Sequence, residues 1–272
     1  MKNFHPDKIR AFQDEIMEWW EENARDLPWR RDTSPYNVLV SEMMLQQTQV
    51  CRVIPKFLEF IDVFPTLESL GDADIKSVLQ LWSGLGYNRR ALWLRDAARA
   101  IIERGGFPEE VEELEELKGI GPYTSRSILI FAFNKDIATI DTNIRRVFIA
   151  SGFADECMTK SELQEVGERL LLRGRSRDWH NALMDYGSDV LTSAATGVRA
   201  VSQQTQYEGS SRQLRGAVVR ILSESHPLTI QELADNVDCD LRNLDDLRKG
   251  LAALIDEGLV EKTSEECFRI PR

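Results

Sequence analysis

The sequence predicts an all-α protein. Three observations carry this: apolar residues recur at helical spacing through most of residues 8–191, glycine and proline clusters cut the pattern into short runs, and period-two alternation marks a small hairpin near the C-terminus. With 272 residues, 42% of them hydrophobic, the chain has enough apolar surface for a core without staples.

Residues 8–25 place Ile9, Phe12, Ile16 and Trp19-Trp20 on one helical face. Leu27-Pro28-Trp29-Arg30 breaks that helix, and Ser34-Pro35-Tyr36 supplies a cap and an N1 proline for the next, which carries Val38, Leu39, Met43 and Met44. Glu42 sits among these apolar residues. It lies either on the solvated side of the helix or against an apolar pocket, where desolvation raises its pKa and keeps it available as an acid. The amides of Gln46-Gln47 are either surface polar groups or hydrogen-bonding partners for base edges.

Phe64-Pro65-Thr66-Leu67 begins another helix, and Ile75–Trp82 continues the period to a glycine turn, Gly84-Leu85-Gly86-Tyr87-Asn88. Residues 91–103 are helical and end at Arg104-Gly105-Gly106-Phe107-Pro108. The run 109–117 leads into Leu117-Lys118-Gly119-Ile120-Gly121-Pro122-Tyr123-Thr124. Two glycines one residue apart turn the backbone tightly, Pro122 suits a helix start, and amides left free there can hold an anion. An ordinary helix–glycine–helix corner reads the same way. Ser125–Phe133 is apolar, and Asp141, in Ile140-Asp141-Thr142-Asn143, precedes a helix over 144–150, where an N-cap is its plain role. Residues 161–191 make two more helices.

From 193 to 211 the apolar period disappears, which predicts a linker. Residues 212–272 then show three short helical runs and an alternating pair, Leu259-Val260-Glu261-Lys262 and Phe268-Arg269-Ile270, so a winged-helix-like module is expected. Its third helix carries Asp240, Asp245 and Asp246, which favours packing or partner binding over reading a DNA groove.

The net charge of −11 argues against a protein that coats nucleic acid nonspecifically, but leaves room for a local basic face. Arginine clusters such as Arg30-Arg31, Arg89-Arg90 and Arg145-Arg146 are read pair by pair as solvated faces. The four cysteines, Cys51, Cys157, Cys239 and Cys267, are too scattered for a disulfide framework or a closely spaced metal cluster. No leader or membrane span is read, and a cytoplasmic, nucleoid-associated protein is expected.

Residues 1–192 resemble the helix–hairpin–helix DNA glycosylases, most closely the MutY-type adenine glycosylases. The motifs carrying this are Leu27–Arg30, Ser41-Glu42-Met43-Met44-Leu45-Gln46-Gln47-Thr48-Gln49-Val50, Trp82-Ser83-Gly84-Leu85-Gly86-Tyr87, Leu117–Thr124, Ile140–Asn143 and Leu183-Met184-Asp185-Tyr186-Gly187. The resemblance implies a two-lobed helical enzyme that flips a nucleotide of duplex DNA into a cleft between its lobes. Glu42 then matches the general acid that protonates the purine, and Asp141 the carboxylate that stays ionised and stabilises the oxocarbenium ion. Tyr123 stands where lyase-type members carry a Schiff-base lysine, which implies a monofunctional glycosylase. Gln47 and Tyr87 match the wedge residues, Gly119 and Gly121 the phosphate-gripping hairpin, and Gln46, Leu85 and Thr124 complete the expected DNA-facing set.

Three departures qualify the match. Leu191 stands where the first of four cluster-holding cysteines would fall, so no iron–sulfur cluster and no metal are expected. The domain that helps recognise 8-oxoguanine is replaced by the winged-helix-like module. Thr142 and Asn88 occupy positions where adenine glycosylases usually have Gly and Tyr. The expected activity is hydrolysis of adenine mispaired with 8-oxoguanine or guanine, by a monomer acting on double-stranded DNA. The alternatives are a thymine or uracil glycosylase for G·T and G·U mismatches, or a non-catalytic DNA-binding regulatory protein.

Overall fold

The computed structural model describes residues 4–198, 208–237, 243–263 and 266–271. In chain order the helices begin with α1 (Pro6–Asn23), α2 (Pro28–Arg31), α3 (Pro35–Leu45), α4 (Val50–Val63), α5 (Leu67–Gly71), α6 (Ile75–Trp82) and α7 (Arg89–Arg104). They continue with α8 (Val111–Glu115), α9 (Pro122–Phe133), α10 (Thr142–Ala150), α11 (Lys160–Leu170), α12 (Ser176–Asp189) and α13 (Ser193–Thr196). The C-terminal part holds α14 (Ser211–Glu224), α15 (Ile230–Asn236), α16 (Leu244–Asp256) and an antiparallel pair, β1 (Glu261–Lys262) and β2 (Phe268–Arg269).

Local chemistry explains the boundaries. Capping boxes start α5, α11 and α15, through Thr66 with Ser69, Thr159 with Glu162 and Thr229 with Glu232. Leu27-Pro28-Trp29-Arg30, expected only as a break, forms the single turn α2, because Pro28 presets a helical φ at its first position. The helix over 50–63 carries Pro55 in its interior, where no amide is available for the carbonyl four residues earlier. The expected linker begins with one helical turn, α13, and Val198 after it is buried.

The chain forms two compact units. One comprises Met1–Val38, Glu109–Glu115 and Ile120–Gln203. Its core joins α1, α10 and α12 through Phe12, Ile16, Val147, Phe148, Trp179 and Leu183, with Phe12 edge-on to Trp179 at 5.6 Å between ring centroids. The other comprises Leu39–Pro108, Glu116–Gly119 and Gln204–Arg272. There α4, α5, α6 and α7 bury Val53, Phe60, Leu70, Leu79, Trp82 and Leu94. In the same unit α14, α15 and α16 bury Val218, Leu222, Leu233, Leu251 and Leu254, and α14 packs on α6. The expected small hairpin is present, with Glu261 paired to Arg269 and Lys262 to Phe268, extended by a bridge between Leu228 and Phe268. Asp245 and Asp246 are exposed at the start of α16, each paired with a cation three residues on, Arg248 and Lys249, while Asp240 lies outside the described residues.

Candidate active site and nucleic-acid interface

Helix α3 is largely apolar, and from Tyr36 to Met44 every residue is buried, the polar Asn37, Ser41 and Glu42 included. Glu42 is therefore enclosed, 8% exposed between Ser41 and Met43, and the solvated-face reading of this residue does not apply. The end of α3 is held by Arg90 of α7. Its Nη1 donates to the carbonyls of Met43 (2.7 Å), Met44 (3.1 Å) and Gln46 (2.7 Å), groups that a helix end leaves without amide partners. Its Nη2 donates to Thr48 Oγ1 (3.2 Å), the Leu85 carbonyl (3.4 Å) and the Gly86 carbonyl (2.9 Å).

One buried guanidinium thus joins Gln46-Gln47-Thr48 to Gly84-Leu85-Gly86-Tyr87. Burial pulls its pKa down to about 10, so it remains charged at neutral pH. Trp82 closes the second loop by donating its indole N–H to the Gly86 carbonyl at 3.1 Å. Arg90 is the residue that sequence reasoning missed, since one member of an arginine pair on a helix gives no sign that it is buried.

The two expected wedge residues share an uncommon backbone. Gln47 (φ 55°) and Tyr87 (φ 47°) are both left-handed, a conformation that costs a non-glycine residue on the order of 1–3 kcal/mol. Both are exposed. Gln46 donates its amide to the Gly119 carbonyl at 3.1 Å and so ties the first loop to the glycine hairpin. Leu85 and Thr124, expected at the DNA, are 4% and 5% exposed. Leu85 serves the loop through its carbonyl, because its side chain faces the core.

The hairpin glycines differ in their demands. Gly119 has φ 84°, and a Cβ there would lie 2.6 Å from Trp93 Cε3, so glycine is required by the protein itself. Gly121 has extended backbone (φ −104°, ψ −176°) and a Cβ there would meet open space. Among the described residues nothing requires glycine at 121. Tyr123, one residue into α9, is 39% exposed.

Asp141 caps α10 as expected: one carboxylate oxygen accepts the Ile144 amide at 2.7 Å and the other accepts Asn143 Nδ2 at 3.0 Å. Arg146 holds Asn143 Oδ1 at 2.7 Å and also donates to the Gly187 and Leu191 carbonyls. The residue keeps some surface in solvent, yet burial of the carboxyl dominates and raises its pKa, against the lowering effect of the Ile144 amide, Asn143 and Arg146. The cap amides favour the ionised form, as a helix start implies, while burial makes that charge costly in the free protein. The segment ahead of it is pinned by side chains in place of a sheet. Glu168 accepts the Ala138 amide (2.9 Å), Gln164 donates to the Ala138 carbonyl (2.6 Å), and His180 Nε2 accepts the Thr139 amide (3.2 Å). His180, 2% exposed and pulled down to about 4 by burial, is neutral, with Nδ1 donating to the Ser176 carbonyl at 2.7 Å.

Two of the sequence motifs meet at Asp185. This fully buried carboxylate takes a bidentate Arg30 (2.7 and 2.9 Å), the Arg25 amide (3.1 Å), the Arg25 guanidinium and the Trp20 indole (3.2 Å). Burial alone would raise its pKa, but Arg30 and Arg25 together hold it below the usual carboxylate range. Gly187, two residues on, admits α10: a Cβ there would lie 2.9 Å from Asn143 Cβ. The predicted site residues thus fall in two sets, with Glu42, Gln46, Gln47, Leu85, Tyr87 and Gly119 in one unit and Gly121, Tyr123, Thr124 and Asp141 in the other.

Among the described residues no group of three or more His, Cys, Asp or Glu is placed to hold a metal. Cys51 and Cys157 are exposed and Cys267 is partly buried beside β2, while Cys239 lies outside the described residues.

Residues 40–171 match the family described as HhH-GPD superfamily base excision DNA repair protein. Over 280 residues the chain is 34% identical to the adenine DNA glycosylase of Mycolicibacterium smegmatis, a match covering 94% of each chain. It is 36% identical to the human adenine DNA glycosylase over 200 residues, which is 68% of this chain and 37% of that longer protein. A thermostable thymine-DNA glycosylase of known structure superposes with a TM-score of 0.64 at 28% identity, over 68% of this chain and 88% of the other.

Proposed function

We propose, given that the chain belongs to the HhH-GPD superfamily of base excision DNA repair proteins, that this DNA glycosylase removes adenine mispaired with 8-oxoguanine or guanine. The enclosure of Glu42 at the end of α3, beside two loops locked in left-handed turns, is the observation that carries the reading. A carboxyl kept out of water can hand its proton to the departing purine, which leaves only when protonated. Asp141 then acts on the sugar. Its charge, costly in the free protein, is compensated when the oxocarbenium ion forms, so its stabilising effect is greatest in the transition state. Water completes the hydrolysis at the sugar carbon.

Likeness along the whole chain to adenine glycosylases supports adenine as the base, and the thymine-DNA glycosylase likeness supports the thymine or uracil reading as the second choice. Single-turnover excision on A·8-oxoguanine, A·G, T·G, U·G and U·A duplexes tests both. Excision confined to the thymine and uracil duplexes would replace the first reading by the second. A chain that binds all five and cleaves none would be the regulatory protein.

Tyr123 supports a monofunctional enzyme, since a phenol forms no Schiff base. The product strand should stay intact until hot alkali is added, and a borohydride-trapped protein–DNA adduct would overturn the assignment. The scattered cysteines and Leu191 support an enzyme without an iron–sulfur cluster. Purified protein should be colourless and free of stoichiometric iron by elemental analysis.

The hairpin gives a matched pair of variants. Gly119→Ala should lower stability by about 1–2 kcal/mol from the left-handed backbone alone, with the Trp93 clash in addition. Gly121→Ala should leave thermal unfolding unchanged and weaken duplex binding, because the open space at 121 suits close approach of a phosphate. Unchanged binding by Gly121→Ala would remove the hairpin from the interface.

A further inference from the structure

Helix α14 runs antiparallel along α6. Gln80 donates to the Ser223 carbonyl at 2.5 Å and Lys76 to the Ser225 carbonyl at 2.9 Å, so α6 side chains satisfy carbonyls at the end of α14. The start of α14 is thereby carried to the loop after α6. There Arg212 Nη1 donates to the Tyr87 hydroxyl at 2.9 Å, and its guanidinium carbon lies 5.9 Å from the ring centroid. One turn on, Arg215 is ion-paired with Glu257 and, with Gln46, Gln47, Tyr87 and Arg89, lines a pocket of about 280 Å³.

We propose that the C-terminal module belongs to the strand-opening apparatus, with Arg212 as a positioning residue that holds the Tyr87 ring ready to enter the base stack. The inference rests on the reading of Tyr87 as a wedge. Arg90 lies 5.6 Å from the ring centroid at the base of the loop, and the exposed hydroxyl end would otherwise have to be ordered at the moment of opening, at a cost in rotamer freedom. Arg212 fixes it at two places, by a charge-assisted hydrogen bond at the hydroxyl and by its cation against the ring. The left-handed backbone aims the ring, and α14 steadies it. A plain phosphate anchor predicts something different from the same arginine: a loss of affinity indifferent to Tyr87.

The test is a double-mutant cycle on the full chain with Arg212→Ala, Tyr87→Phe and both. Strand opening is followed by the fluorescence of 2-aminopurine beside the target base, and duplex affinity is measured against salt. Arg212→Ala and Tyr87→Phe should each slow opening by about tenfold, the scale of one hydrogen bond to a charged group. The double variant should be no slower than Arg212→Ala alone, which gives up the ring contact as well as the hydrogen bond, and thermal unfolding should not move. Losses that multiply would overturn the proposal. So would a drop of about one in the salt slope on Arg212→Ala that is the same with or without the Tyr87 hydroxyl, the mark of a phosphate contact. An enzyme that opens duplexes but excises another base leaves the proposal standing while the adenine reading fails. One that binds duplexes and opens none defeats the wedge role of Tyr87 and the proposal with it.

Discussion

Asp141→Asn should lose excision by a factor of about 10²–10⁴ or more, the range expected for removing a group that acts in the transition state, and yet be at least as stable as the wild type at neutral pH. Asparagine caps a helix as well as aspartate does, and its side-chain oxygen can keep the bond from the Ile144 amide. It removes a carboxylate that burial makes costly to ionise. The folded-state pKa lies above the unfolded one, so between the two the folded chain binds more protons and wild-type stability falls as pH rises. Above the ordinary carboxylate range the wild type carries a penalty that the variant lacks. The stability gap in favour of Asp141→Asn should therefore open above the ordinary carboxylate range, widen up to the raised pKa and then stay constant. Urea unfolding across pH, beside single-turnover excision at saturating enzyme, reads both quantities. A fully active Asp141→Asn enzyme would leave Asp141 as a cap only and remove the two-carboxylate mechanism. Glu42→Gln should show a loss of the same order in the chemical step, with duplex binding retained. That loss should shrink on a substrate whose leaving group departs without protonation.

The second large effect concerns Asp185. Asp185→Asn should destabilise the protein by about 3–5 kcal/mol, because Arg25 and Arg30 would be left facing each other in a buried site with no counter-charge. Here the linkage runs the other way. The folded pKa is depressed, so the contribution of Asp185 is present above the ordinary carboxylate value and is lost as pH falls through the folded pKa. The gap between wild type and variant, measured by denaturant midpoint, should be greatest near neutrality and close in strong acid. A variant as stable as wild type at pH 7 would show that Arg25 and Arg30 need no counter-ion. Excision should fall as well, since Gly187 of the same helix packs on Asn143, a partner of Asp141.

The helices were legible because their cues are local: capping residues, N1 prolines and apolar spacing lie within a few residues of the boundaries they set. The helix over 50–63 was not read, for Pro55 breaks the local pattern while tertiary burial of Val53, Phe57 and Phe60 sustains the helix. Glu42 and Asp141 were named from motifs, but sequence could not say that one was enclosed or that the other was costly to charge. Those properties depend on neighbours far along the chain. The same holds for Asp185, whose partners Arg25 and Arg30 lie 160 and 155 residues away. Arg90 and Arg212 were invisible for the same reason. An arginine on a helix has the same sequence pattern whether it meets water, a helix end or a tyrosine hydroxyl.

The grip of Arg90 is almost wholly on main-chain oxygens, at Met43, Met44, Gln46, Leu85 and Gly86. Main-chain oxygens are common to every amino acid, so the grip of Arg90 makes no demand of its own on which side chains stand at 46, 47, 87 and 88. The two loops are in effect an interchangeable cassette on a constant frame. If these loops meet the DNA as proposed, exchanging side chains there changes what faces the duplex without rebuilding the frame beneath. The arginine itself is not exchangeable, since an ammonium has no planar fork with which to reach both loops at once.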